Sequence, residues 1–401
     1  MKKLSLSILA SFISLYTFAQ ADNKVIIGTI DSIQSKMLNE KRKIWVHVPD
    51  SDPDSQYSQQ RFPVVYLLDG DSHFSSVVGM IEQLSSINEN TICPQMIVVG
   101  IPNTNRTRDL TPTKDSFDLS SGGGEQFMSF IENELIPYID STYPTQPYKM
   151  LIGHSFGGLT VMNALINHTK LFNSYVAIDP SMWWNKQKFL KAGEKIIPQE
   201  NFTGKTLYLG IANTMAKGMN VNDVVKDTTG GTIHIRSILE LNKFIKSQKP
   251  KGLKYASKYY ENDNHSSVPL IVEYDALRFI FEKYRLNLEM NDDTDSSVDI
   301  ANKYALHYKE VSQLFGYTVK PPEAEVNGIA YQFLKAKQYK KAESFFKMNV
   351  ANYPESFNAY DSYGDYFVAI GNKPKAIENF KKALSLREYP ESREKLNKLL
   401  D

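Results

Sequence analysis

Cysteine is almost absent from this chain: Cys93 is the only one in 401 residues. A single thiol excludes an internal disulfide, a cysteine-ligated zinc cluster and a CxxC redox pair. Charge imbalance is lacking too, since 46 Lys and Arg face 45 Asp and Glu for a formal net charge of +1. That balance gives no reason to expect nucleic acid or an anionic membrane as partner. Long apolar runs are confined to one place, where Lys2-Lys3 precede an apolar stretch from Leu4 to about Phe18, and Ala19 and Ala21 flank Gln20. A basic start, an apolar run too short to span comfortably and small residues at its end read as a signal peptide over 1–21. No second run of spanning length follows, and Cys93 lies too far from the cleavage region to accept a lipid. The expectation is a periplasmic or secreted protein with no stable membrane insertion after cleavage.

What is present describes an ordinary globular chain, with 42% hydrophobic and 23% charged residues. Its length predicts two domains. Ile44-Trp45-Val46-His47-Val48 alternates as a half-buried strand does, whereas segments 63–68, 96–100, 150–152, 175–178 and 207–211 are apolar throughout. Continuous apolar strands fit a mostly parallel sheet covered on both faces by crossover helices, here expected over 124–139 and 235–247. Lys254 to Tyr260 reads as a last strand. The architecture is therefore α/β, with reactive loops at the C-terminal ends of the strands.

Composition shifts after Tyr284. The polar, acidic run Asn291 to Ser297 reads as part of a connector over 287–320, separating a 22–286 domain from a helical 321–401 segment. That segment repeats with a 34-residue offset between residues 323 and 357. In this register Val326, Ala330, Phe333, Ala342 and Phe346 match Tyr360, Gly364, Phe367, Ala376 and Phe380, at tetratricopeptide-like positions. Two units and a final helix from Glu391 are fewer than such arrays need alone. The segment is thus expected to dock on the first domain or on a protein partner.

The chemistry is carried by Gly153-His154-Ser155-Phe156-Gly157-Gly158. A short apolar strand precedes it and a helix follows, the context of a nucleophile elbow. Glycines at 153 and 157 permit a hard turn that lifts the Ser155 hydroxyl clear of the sheet. A serine hydroxyl needs a base. Of the 7 histidines, His47 lies in a strand, His154 adjoins the serine and His168 ends a helix. His265 sits in the polar loop Asn262 to Ser267, between the last strand and a helix, where the base belongs in the order Ser…acid…His. The acid stays open. Asn213 occupies the place after strand 207–211 and is uncharged; Asp223, Asp227, Glu261, Asp263 and, after an earlier strand, Asp179 are the charged alternatives. For the oxyanion, the Phe156 amide is one donor and the Asp71 amide, after Asp69-Gly70, the other. Arg106 and Arg108 either line the pocket mouth or hold their own loop, and Trp183-Trp184 form either an aromatic wall or a core anchor.

Tyr66 to Gly70, Gly100 to Pro112, Gly153 to Gly158, Pro180 to Asn185 and His265 to Pro269 together resemble the putative-esterase family, over about residues 25 to 285. That family includes enterochelin-type siderophore esterases, feruloyl and acetyl esterases, S-formylglutathione hydrolases and mycolyltransferases. The resemblance implies an α/β-hydrolase fold with Ser155 as nucleophile and His265 as base. Similarity to the mycolyltransferases implies Asp71 and Phe156 as oxyanion donors, and the helical tail resembles that of exported bacterial members. Asn213 departs from the acid common there, although some siderophore esterases work with a Ser-His pair. The expected activity is serine carboxylesterase on a small-molecule or glycan ester, without cofactor or metal. An acyltransferase on the same acyl-enzyme and a non-catalytic scaffold using the tetratricopeptide face are the rivals.

Overall fold

A strand that is apolar on both sides is satisfied only inside a sheet covered on both faces. The computed structural model, which describes residues 24–50, 55–295 and 297–401, places the apolar segments in this way. The expected signal peptide lies outside the described residues. One sheet holds eight strands: β1 (Thr29–Ser35), β2 (Glu40–His47), β3 (Phe62–Leu68), β4 (Ile97–Ile101), β5 (Thr145–His154), β6 (Ser174–Ile178), β7 (Lys205–Ala212) and β8 (Leu253–Tyr260). Their spatial order is β1-β2-β4-β3-β5-β6-β7-β8. From β4 to β8 all neighbours are parallel, and β1–β2 is an antiparallel pair joined antiparallel to β4. The polar strand β1 carries no apolar signal and was not expected from the sequence.

The helices of this unit are α1 (Gly70–Ser85), α2 (Arg106–Leu110), α3 (Gly124–Phe130), α4 (Ile136–Thr142), α5 (Phe156–Asn167), α6 (Trp184–Ile196), α7 (Ile233–Gln248) and α8 (Val268–Ile280). A π-turn over Ile131–Leu135 joins α3 to α4, so the helix expected over 124–139 is one rod with a wide turn in its middle. Side chains alternate along β3. Val64, Tyr66 and Leu68 enter a core with α3 to α7, while Val65 and Leu67 enter a second core with α1 and α8. Among the described residues no helix is long and apolar enough to cross a membrane.

The segment expected as a connector contains a helix, α9 (Ile300–Phe315), whose start is capped by the Asp299 carboxylate accepting the Asn302 N–H. Its two ends belong to different cores. Val311 and Phe315 enter the α1/α8 core, with the Phe315 ring 4.7 Å from Tyr148 and 5.9 Å from Phe281. Ile300, Ala301 and Tyr304 enter a third core built by α10 (Glu323–Lys335), α11 (Tyr339–Asn352), α12 (Phe357–Ala369), α13 (Lys373–Leu386) and α14 (Pro390–Leu400). Tyr317 donates to Gln146 and the Ser58 N–H donates to Glu323 at 2.8 Å, so polar ties reinforce the joint. Within the tail, α12 and α13 approach until a Cβ at Gly364 would lie 2.5 Å from the Phe380 ring, so any side chain there would have to displace the ring.

Phe315 is 2% exposed. Phe315→Ala is expected to cost about 3–5 kcal/mol, the range for deleting a buried phenyl ring. Urea denaturation checks this; a loss below about 1 kcal/mol would mean that α9 does not complete the core.

Candidate active site

The turn from β5 into α5 is tight. A Cβ at Gly153 would lie 2.5 Å from the Gly157 backbone, so the chain can fold back only without one. Ser155, between them, adopts φ 59° and ψ −115°, a conformation that costs a serine about 1–3 kcal/mol. Three backbone hydrogen bonds hold it: its N–H donates to Ile178 O at 2.9 Å, and its carbonyl accepts from Leu159 and Ser181 at 3.0 Å each. Among the described residues the hydroxyl has one hydrogen-bond partner, Ser181 Oγ at 3.3 Å. That is long for O–H···O, so turning away costs little.

Beside it, Asp179 follows the last residue of β6 and sits at φ 41° with no exposed surface. Its Oδ1 accepts the Ala212 N–H at 2.9 Å. Its Oδ2 faces two imidazoles, His265 Nδ1 at 2.6 Å and His234 Nε2 at 2.8 Å. Burial alone would raise the carboxyl pKa, but the His234 and His265 hydrogen bonds outweigh it and hold the group well below the usual carboxylate range. An ionised carboxylate only accepts, so the neutral form of His265 carries its proton on Nδ1 and presents Nε2 as a lone pair. That is the tautomer a general base requires.

Four of the residues offered as acid or orienter lie elsewhere. Asn213 donates from Nδ2 to Glu261 O at 2.9 Å and accepts the Met215 N–H, so it staples loops. Asp223 is exposed and pairs with Lys226, and Asp263 accepts from Ser267 Oγ at 3.0 Å. The Glu261 side chain is exposed. The reason is topological. β6 is the direct neighbour of β5, so the residue just past β6, Asp179, stands beside Ser155, one strand nearer than the end of β7.

The expected oxyanion donors both stand in the first turns of helices, Asp71 in α1 and Phe156 in α5, where backbone N–H groups have no intrahelical partner. Arg106 grips Asp69 with two bonds, at 2.6 and 2.9 Å, and also donates to His154 O. Its cation lies 5.5 Å from the Phe156 ring centre. Arg108 is committed to Glu40 and Asp109 and so holds its loop rather than a substrate. Trp184 is buried with Nε1 donating to Thr113 O, which makes it an anchor; Trp183 is half-buried, 6.3 Å from Phe156.

A buried neutral layer underlies the site. The His154 ring stacks 4.4 Å from His265, and burial followed by the neighbouring His265 charge pushes its pKa down to about 4. Glu273, on α8, is 1% exposed with neither oxygen hydrogen-bonded, and burial pushes its pKa up to about 8. His73 Nδ1 lies 3.7 Å from it, and burial lowers that histidine as well, so the contact is one between neutral groups.

A mostly parallel sheet flanked by helices, with a strained serine between β5 and α5 and a histidine–aspartate pair at the next strand ends, defines an α/β-hydrolase. The putative esterase family model matches residues 35–223, and the α/β unit of this chain is similar to that family. The match includes Ser155 and Asp179 and ends before His265. An IroE-like serine hydrolase from Shewanella oneidensis is 28% identical, superimposes with a TM-score of 0.67, and is covered over 98% of its length by 80% of this chain. The siderophore triacetylfusarinine C esterase of Aspergillus fumigatus is 28% identical over 141 residues, 33% of this chain and 48% of that protein. The ferri-bacillibactin esterase BesA of Bacillus subtilis is 30% identical over 190 residues, 42% of this chain and 65% of that protein. The chain thus spans from about half to just under two thirds of these curated relatives.

Two opposing pH dependences follow. The depressed His154 pKa means that the unfolded chain binds more protons between about pH 4 and 6.5, so stability rises with pH there. The raised Glu273 pKa reverses the sign: its stabilisation is full below about pH 4.5 and is lost as pH rises towards 8. From about pH 6.5 to 8 only Glu273 acts, at a loss of roughly 1–2 kcal/mol. Denaturant titrations at the two pH values should show this loss in the native protein and not in Glu273→Gln. An equal loss in both would refute a buried neutral carboxyl.

Proposed function

We propose that this chain is an exported serine carboxylesterase acting on small-molecule esters of the siderophore class. The observation that carries the reading is the 2.6 Å contact between Asp179 Oδ2 and His265 Nδ1 beside the strained Ser155. Ser155 Oγ attacks the ester carbonyl and His265 Nε2 takes its proton. Asp179 keeps the ring in the tautomer that can do so and stabilises the imidazolium formed. The N–H groups of Phe156 and Asp71 receive the developing oxyanion. His265 then returns the proton to the leaving alcohol, and water releases the acyl group by the same steps.

Export is supported by the basic, apolar and small-residue pattern over 1–21. The siderophore class is supported by the names of the relatives. The half-buried Phe156 and Trp183, 6.3 Å apart, suit an aromatic acyl group. The 34-residue offset supports reading α10–α11 and α12–α13 as two tetratricopeptide-like units available to a protein partner.

Steady-state hydrolysis of a chromogenic short-chain ester tests the assignment. Ser155→Ala should abolish it, Asp179→Asn should lower kcat by about 10⁴, and Asp223→Asn should stay within about twofold of the native rate. A full-rate Asp179→Asn protein would remove the triad. For substrate class, kcat/KM on triacetylfusarinine C or enterobactin should exceed that on feruloyl or acetyl-sugar esters by roughly tenfold or more. A reversed order would overturn the siderophore assignment alone.

A further inference from the structure

His234 has no part in the ester chemistry above, yet its Nε2 meets the same Asp179 Oδ2 that receives His265 Nδ1. A catalytic triad needs one histidine on its carboxylate. We propose that Asp179, His234 and His265 form a site for a divalent transition ion of the zinc type, and that its occupation switches hydrolysis off. The three ligand atoms lie within 4.8 Å of one another. The two imidazole rings stand perpendicular, with centres 5.1 Å apart. Imidazoles bound to one tetrahedral zinc through bonds of about 2.0 Å place their ring centres about 5 Å apart, so small shifts convert this arrangement into a coordination shell.

The surroundings suit an ion as well. The Ala212 N–H occupies Asp179 Oδ1, leaving Oδ2 as a single ligand oxygen held by an outer partner. The carboxylate is fully buried and ionised, whereas the side chains of His234 and His265 are 18% and 37% exposed. An ion can therefore enter from the histidine side and complete its shell with water. Two imidazole nitrogens and one carboxylate oxygen favour zinc, copper or nickel over magnesium or calcium.

Inhibition follows from the proton count. In the metal-free protein His265 holds its proton on Nδ1. A metal–Nδ1 bond displaces that proton to Nε2 of the same neutral ring, with no net release. His234 makes the converse shift, from Nε2 to Nδ1. Nε2 of His265 is then an N–H donor and cannot take the Ser155 proton.

Binding stands on this geometry alone, whereas the inhibition rests on the esterase reading. The test is calorimetric titration of the untagged protein with zinc chloride at neutral pH, alongside ester hydrolysis. One saturable site is expected in the native protein and equally in Ser155→Ala. The affinity should fall on the order of 100-fold in His234→Asn and in Asp179→Asn, with folding of each checked by circular dichroism. Hydrolysis by the native protein should be lost with the same midpoint as binding and return on chelation. Absence of a saturable site, or undiminished affinity in folded His234→Asn, would overturn the site. Binding as expected without any metal-free hydrolysis would support the site and overturn the esterase reading.

Discussion

The strand ends are laced to one another, and the active site hangs from that lacing. Ser155 N–H, just past β5, bonds to Ile178 O at the end of β6; Asp179 N–H, just past β6, bonds to Gly210 O in β7; Asn213 N–H, just past β7, bonds to Asp263 O beyond β8. Each bond continues the parallel ladder one residue beyond the strands, where loops usually begin to diverge. The serine, the carboxylate and the histidine loop are thereby set at fixed heights on one edge. Side-chain geometry is inherited from backbone pairing rather than built separately.

Two electrostatic regimes share this edge. Asp179 is buried and ionised because three N–H donors surround its oxygens. Glu273 is neutral because it is buried with, among the described residues, no donor hydrogen-bonded to either of its oxygens. The same functional group thus sits at opposite ends of its range within one fold, and hydrogen bonding rather than depth of burial separates them. His154 belongs to the neutral regime and presents a neutral ring to His265.

What could be read from sequence follows the range of each interaction. Strand and helix signals are local, so the five apolar strands, the alternating strand at Ile44, the elbow at Ser155 and the loop position of His265 were legible. Asp179 was less so, since its role depends on β6 pairing directly with β5, a contact between distant parts of the chain. A carboxylate directly after the apolar run 175–178, with Pro180 and Ser181 after it, was the available clue. His234 gave no signal, because α7 brings it to Asp179 from 55 positions away. Helix α9 was hidden for a different reason: the acidic run before it dominates the composition, although Ile300, Tyr304, Val311 and Phe315 keep helical spacing.

The shared helix bears on how the protein comes into being. A chain emerging from its N-terminus can complete the sheet once β8 is available, but the face carrying Tyr148, Phe281 and Tyr284 stays open until Phe315 has followed. The last wall of the hydrolase unit is thus delivered by the first helix of the tail. Maturation of the site's supporting core is timed to the arrival of the segment beyond it, and a chain truncated before α9 would keep its full set of reactive residues over an unfinished foundation.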